Sequence, residues 1–82
     1  MKTMLDVALS VVNNKESDAY EFEDIFENVE NELMDRWNQE LVNDKLTYAK
    51  LRVKKMGELY RLLTVDGRFV RNNDGTWSPA YR

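Results

Sequence analysis

Apolar residues recur along the chain with two periods, and the change from one to the other divides it. Met4, Val7, Ala8 and Val11 fall three and four apart, the spacing that places side chains on one face of an α-helix. Thr3 precedes them and Asp6 follows it by three, the form of a capping box with Asp in place of the usual Glu. A first helix over about 4–13 is predicted, ended by Asn13-Asn14-Lys15, with Glu16-Ser17-Asp18 as a solvated loop. Ala19-Tyr20-Glu21 reads as a short extended segment. Phe22, Phe26, Val29, Leu33 and Trp37 then share a narrow arc at 100° per residue, a strong amphipathic helix. The stretch NQELVNDK loses that pattern, which places a break near Asn43-Asp44. A third stripe, Leu46, Ala49, Val53, Met56, Tyr60 and Leu63, predicts a helix that stops before Asp66-Gly67, where glycine turns the chain.

After Gly67 the helical period ends. Arg68-Phe69-Val70 and Thr76-Trp77 flank Asn72-Asn73-Asp74-Gly75, which predicts a β-hairpin whose tight turn draws positive φ from Asp74 and Gly75. Alternation sends Phe69 and Trp77 inward, Tyr60 joins them in the core, and Pro79 limits the last strand. The expected class is α+β and mainly helical, in the order of a winged helix-turn-helix. That order comprises three or more helices, a C-terminal two-stranded hairpin and a short third strand.

Composition narrows the possibilities. Eighty-two residues make a single domain, 1–82, and a chain this short buries only about 60% of the surface its unfolded form exposes. With 43% hydrophobic and 33% charged residues it has the balance of a folded chain rather than a disordered one. The sequence has no cysteine and no histidine, which excludes disulfides, thiolate metal sites and the commonest general base. Neither a Gly-rich phosphate loop nor a nucleophile elbow occurs, so no enzyme activity and no cofactor are expected. Met4 to Val12 is short, contains Asp6 and lacks a basic lead, unlike a signal peptide, and nothing approaches membrane-spanning length. These features lead to the expectation of a cytoplasmic monomer without membrane contact.

The net charge of −3 conceals a division. Residues 1–44 hold three bases against twelve acids, a net −9, and residues 45–82 hold nine bases against three acids, a net +6. Such asymmetry bears on partners. Glu21, Glu23, Asp24 and Glu27 are close enough in sequence to attract a divalent cation, although acids opposite an apolar stripe are usually solvated. Asn72-Asn73-Asp74-Gly75 does not begin a calcium loop, because the acidic ligands before the glycine and the glutamate six residues after it are missing. On the third helix Lys50, Lys54 and Arg61 fall within about 40° of one another beside Gly57, and Arg68 and Arg71 follow in the hairpin. These five bases are the candidate contact residues. One reading sets them on phosphates, with Tyr48, Asn72 or Asn73 near bases; the other docks them on an acidic protein or balances the acidic half. Composition leaves protein docking and weak, nonspecific nucleic-acid contact open together.

The run from Leu59-Tyr60 through Asp66-Gly67-Arg68-Phe69, a turn, and Thr76-Trp77 resembles the N-terminal domain of the delta subunit of bacterial RNA polymerase. Tyr20 to Ile25 resembles the start of that family's second helix, and Met4 to Val12 its first. The stretch from about Met34 to Tyr48 is longer than the family's connection, and Ser78-Pro79 replaces the common Gly-Leu. The family carries a long acidic C-terminal tail, which the expected domain 1–82, ending in Tyr81-Arg82, does not include. The resemblance implies a winged-helix domain of the HARE-HTH type that docks on core RNA polymerase and contributes to transcription selectivity and polymerase recycling. No catalytic residue is carried over from it, and Asp66, Gly67, Arg68, Phe69 and Trp77 shape the hairpin. The alternative is a winged-helix DNA-binding module that uses the third helix and the hairpin.

Overall fold

In a computed structural model, which describes residues 2–14 and 16–80, three helices lead into an antiparallel hairpin. The elements are α1 (Met4–Val12), α2 (Phe22–Glu40), α3 (Tyr48–Val65), β1 (Phe69–Arg71) and β2 (Trp77–Pro79). The architecture is α+β and mainly helical. Lys15 and the terminal Tyr81-Arg82 lie outside the described residues. Among the described residues no helix is long and apolar enough to cross a membrane.

The capping box starts α1 as its sequence requires. The Thr3 N–H donates to Asp6 Oδ2 at 2.9 Å and the Asp6 N–H donates to Thr3 Oγ1 at 3.2 Å, satisfying two orphan donors reciprocally. The helix buries Met4, Val7, Ala8 and Val12, so Val12 takes the core position that periodicity gave to Val11. α2 buries Ile25, Phe26, Val29, Leu33 and Trp37, and continues to Glu40 past the point where its apolar pattern fades. Trp37 is fully part of the core. Asn43 then organises the connection, its Oδ1 accepting the Lys45 and Leu46 N–H groups at 2.9 Å each. Thr47 caps α3 by accepting the Lys50 N–H.

α3 turns a different face to the core from the one its apolar stripe indicates. Leu51, Leu59 and Leu63 are buried and Tyr48, Met56 and Leu62 pack beside them, whereas Ala49 is exposed and Val53 is 69% exposed. At 100° per residue Leu51, Lys55, Leu59 and Leu62 share an arc. One cation lies within that arc and one at its edge: Lys55 stands 5.6 Å from the Trp37 ring centroid and Arg52 5.1 Å from that of Phe26. The charged heads themselves stand over the ring faces, and each also pairs with a carboxylate, Arg52 with Glu30 and Lys55 with Glu58. A core face containing Lys and Arg does not register as apolar.

The helix also ends differently from expectation. Asp66 leaves it in extended geometry, at φ −87° and ψ 120°, and its Oδ1 accepts the Arg68 N–H at 2.9 Å. This Asx turn redirects the chain, and Gly67 takes no positive φ. In the hairpin Phe69 pairs with Pro79, Val70 with Ser78 and Arg71 with Trp77. Positive φ is confined to Gly75, at 88°, and Asp74 does not share it. The Gly75 N–H donates to the Asn72 carbonyl at 2.9 Å and the Asn72 N–H to that of Thr76 at 2.8 Å, a turn followed by one left-handed residue. The expected third strand is reduced to one bridge, in which Tyr20 and Trp77 exchange N–H to carbonyl bonds of 2.9 and 2.8 Å. Phe69 and Trp77 point into the core as predicted, but Tyr60 is 41% exposed. Its ring meets those of Phe22 and Trp77 edge-on, at 5.5 and 5.9 Å, so only one side of it is packed.

The two faces of α3 predict opposite outcomes for truncation. Leu59→Ala removes a fully buried side chain and is expected to cost about 2–5 kcal/mol. Val53→Ala should stay within about 0.5 kcal/mol of the parent, as surface substitutions do. Urea unfolding of both variants checks the assignment, and a Val53→Ala loss comparable to that of Leu59→Ala would refute it.

Candidate docking surface

The outward face of α3 combines two chemistries. Lys50, Lys54 and Arg61 are exposed together on it and form no ion pair or hydrogen bond through their side chains with the described residues. Leu46, Ala49 and Val53 lie beside them and, with Lys45, Lys50 and Lys54, line an open groove of about 560 Å³. Farther along, a Cβ added at Gly57 would meet nothing within 4 Å, so that stretch of the face is flat and open. The first turn of α3 carries no acid, whereas that of α2 carries Glu23 and Asp24. The positive end of the α3 dipole therefore reinforces the lysines.

The five candidate bases are divided between two elements. Lys50, Lys54 and Arg61 belong together, but Arg68 and Arg71 lie in the hairpin beyond the end of α3. About 22 Å of helix rise separates Lys50 from that end and about 6 Å separates Arg61 from it, at 1.5 Å per residue. Arg68 is also engaged: its Nε and Nη2 donate to the two oxygens of Asp66 at 3.0 and 2.8 Å, a bidentate pair. The Arg68 side-chain and backbone bonds hold the Asp66 carboxyl down at about 2, and the same pair raises Arg68. Arg71 is exposed and its Nη2 lies near the hairpin turn, 3.6 Å from where a Gly75 Cβ would stand.

Two residues considered for base contact are instead held within the fold. The Tyr48 hydroxyl donates to Glu30 Oε2 at 2.6 Å, and the Arg52 Nε donates to the same oxygen at 2.8 Å. Burial and the Glu30 carboxylate push the Tyr48 phenol up to about 12. Burial works to raise Glu30, but the bonds from Tyr48 and Arg52 outweigh it and the carboxyl is lowered. Asn72 Nδ2 donates to Thr76 Oγ1 at 3.0 Å and Ser78 Oγ at 2.9 Å, bracing the hairpin. Asn73 remains exposed.

Periodicity missed Val53, Ala49 and Lys45 as surface residues. The available signal was local: Val53 stands between Lys50 and Lys54 in sequence, one turn before a mid-helix glycine. On the acidic side, Asn14, Glu16, Tyr20, Asp24 and Glu27 border a concavity of about 370 Å³. No group of three or more carboxylates among the described residues is placed to hold a metal ion.

The Asp66–Arg68 pair has a definite pH signature. A carboxyl depressed in the folded state stabilises that state above its unfolded value, and the contribution is lost as pH falls toward about 2. Carboxyl NMR titration should place the Asp66 midpoint near that value, and Arg68→Ala should return it toward the usual aspartate range. An Asp66 midpoint already in that range in the parent protein would refute the pair. In comparisons with known proteins, no family model, curated protein or solved structure matches the chain.

Proposed function

We propose that the chain is a noncatalytic accessory domain of winged-helix type that docks on core RNA polymerase through the outward face of α3. The observation that carries docking is the pair of cations Lys50 and Lys54, unpaired among the described residues, beside the 69% exposed Val53, with Arg61 farther along the same face. A fold that needed these bases only to balance its acids would pair them, as it pairs Arg52 with Glu30 and Arg68 with Asp66. The element order, with Tyr20 bridging to the hairpin, suits a winged helix. The polymerase enters through the resemblance at Asp66-Gly67-Arg68-Phe69 and Trp77, where the Asp66–Arg68 pair and the buried Phe69 and Trp77 are consistent with a hairpin-shaping role. In this reading the domain contributes to transcription selectivity and polymerase recycling by its attachment.

The DNA-binding alternative draws support from the same bases. The middle of the face works against it: Val53, Gly57 and Tyr60 carry no guanidinium or amide that could read a base edge. Tyr48 and Asn72 are held by internal hydrogen bonds. Residual duplex binding would be phosphate contact with steep salt dependence.

The test is capture of purified bacterial core polymerase by the immobilised domain at moderate salt. Capture is expected with the parent, and the double variant Lys50→Glu/Lys54→Glu should lose most of it while keeping its thermal transition. Equal capture by parent and variant, or none by either, would sink the proposal. Tight binding of a short duplex under the same conditions would favour the DNA module instead.

A further inference from the structure

The groove at the start of α3 restricts the chemistry of what can fill it. Ala49 and Val53 stand one turn apart on α3, about 6 Å at the helical rise, and Leu46, just before the Thr47 cap, extends this apolar row. Lys45, Lys50 and Lys54 rim it, and none of the three ion-pairs with the described residues. Phosphate backbone would meet the lysines but leave the apolar row against water. A purely apolar segment would cover the row but bury three ammonium groups without partners, which is costly. The complementary ligand presents large apolar side chains along one line and carboxylates beside them.

A second copy of this chain does not offer such a surface. Its acidic face is the outward side of α2, where Glu23, Glu27, Asn31, Asp35 and Asn38 stand exposed and the single apolar side chain at its end, Leu41, cannot fill a row of three. We propose that the α3 groove binds an acidic amphipathic segment of a partner protein, its apolar side chains on Leu46, Ala49 and Val53 and its carboxylates on Lys45, Lys50 and Lys54. This rests on the reading of α3 as a docking face and specifies the chemistry of its partner. A helical segment would seat apolar residues at i, i+3 or i+4, and i+7 along the row.

The experiment uses the whole chain and a fluorescein-labelled peptide with leucines at i, i+3 and i+7 among aspartates and glutamates, read by anisotropy. A control peptide replaces each leucine with serine at the same charge. The leucine peptide is expected to bind, with the serine peptide weaker by about tenfold or more. Val53→Asp should weaken the leucine peptide by about tenfold or more, and Lys50→Gln/Lys54→Gln should do the same and flatten its salt dependence. Val65→Asp, at an exposed apolar position outside the groove, should leave binding unchanged. Equal binding of the two peptides, or indifference to Val53→Asp, overturns the proposal. Sedimentation that shows self-association abolished by Val53→Asp would assign the groove to a second copy and also overturn it. Peptide binding without polymerase capture leaves the groove assignment standing and removes the polymerase. Capture that withstands Val53→Asp keeps the polymerase and removes this occupant.

Discussion

Trp77 joins the two halves of the fold. Its backbone pairs with Tyr20 on one side and stands opposite Arg71 on the other, so one residue ties the entry of α2 to the hairpin that follows α3. Its indole is 2% exposed and meets Tyr60 edge-on, with Tyr60 in turn against Phe22. Few residues of a domain this small can contribute so much buried area. Its Nε1 has no hydrogen-bond partner among the described residues, a desolvation penalty of about 1–3 kcal/mol that the surrounding apolar contacts offset. The hairpin is therefore a brace across the helices before it is anything else. Asn72 and Asp74 spend their side chains on Thr76 and Ser78 within it, and Ser78 reaches back to the Asp18 carbonyl.

That brace leaves α3 free to divide its surface. On the inner side Leu51, Leu59 and Leu63 meet the core, and Arg52 and Lys55 set their charged heads over Phe26 and Trp37. On the outer side Lys50, Lys54 and Arg61 keep their charges unneutralised next to Ala49 and Val53. The same two residue types thus do different things according to face. Inside, the charge is met by a ring face and a carboxylate; outside, it meets neither among the described residues.

This division explains what the amino-acid pattern could and could not reveal. The element order, the capping box, the α2 stripe and the inward Phe69 and Trp77 were legible, because each depends on local spacing and local hydrogen bonds. The face of α3 was not. Lys55 occupies a position that apolar counting discards, and Val53 occupies one that it accepts, so the stripe from Leu46 to Leu63 drew the core face toward solvent. Gly67 misled in a similar way: the Asp66 side chain completed the turn, and the conformational freedom of glycine was not needed there. At Gly75 that freedom is used. Tertiary contacts of long polar side chains and side-chain turns are the parts that spacing alone does not encode.

The exposed face of α3 also departs from what helix stability alone would favour. A mid-helix glycine costs about 1 kcal/mol relative to alanine, and β-branched valine is a poorer helix former than alanine or lysine. At Gly57 the missing Cβ relieves no contact within the chain, and at Val53 the isopropyl group lies mostly in water. Neither concession is returned by packing inside the domain. Residues that weaken a helix while touching nothing are explained when something outside the chain completes their environment. A flat glycine and an exposed valine on a lysine-rimmed face fit an approaching polypeptide surface better than a phosphate backbone, which would gain from neither.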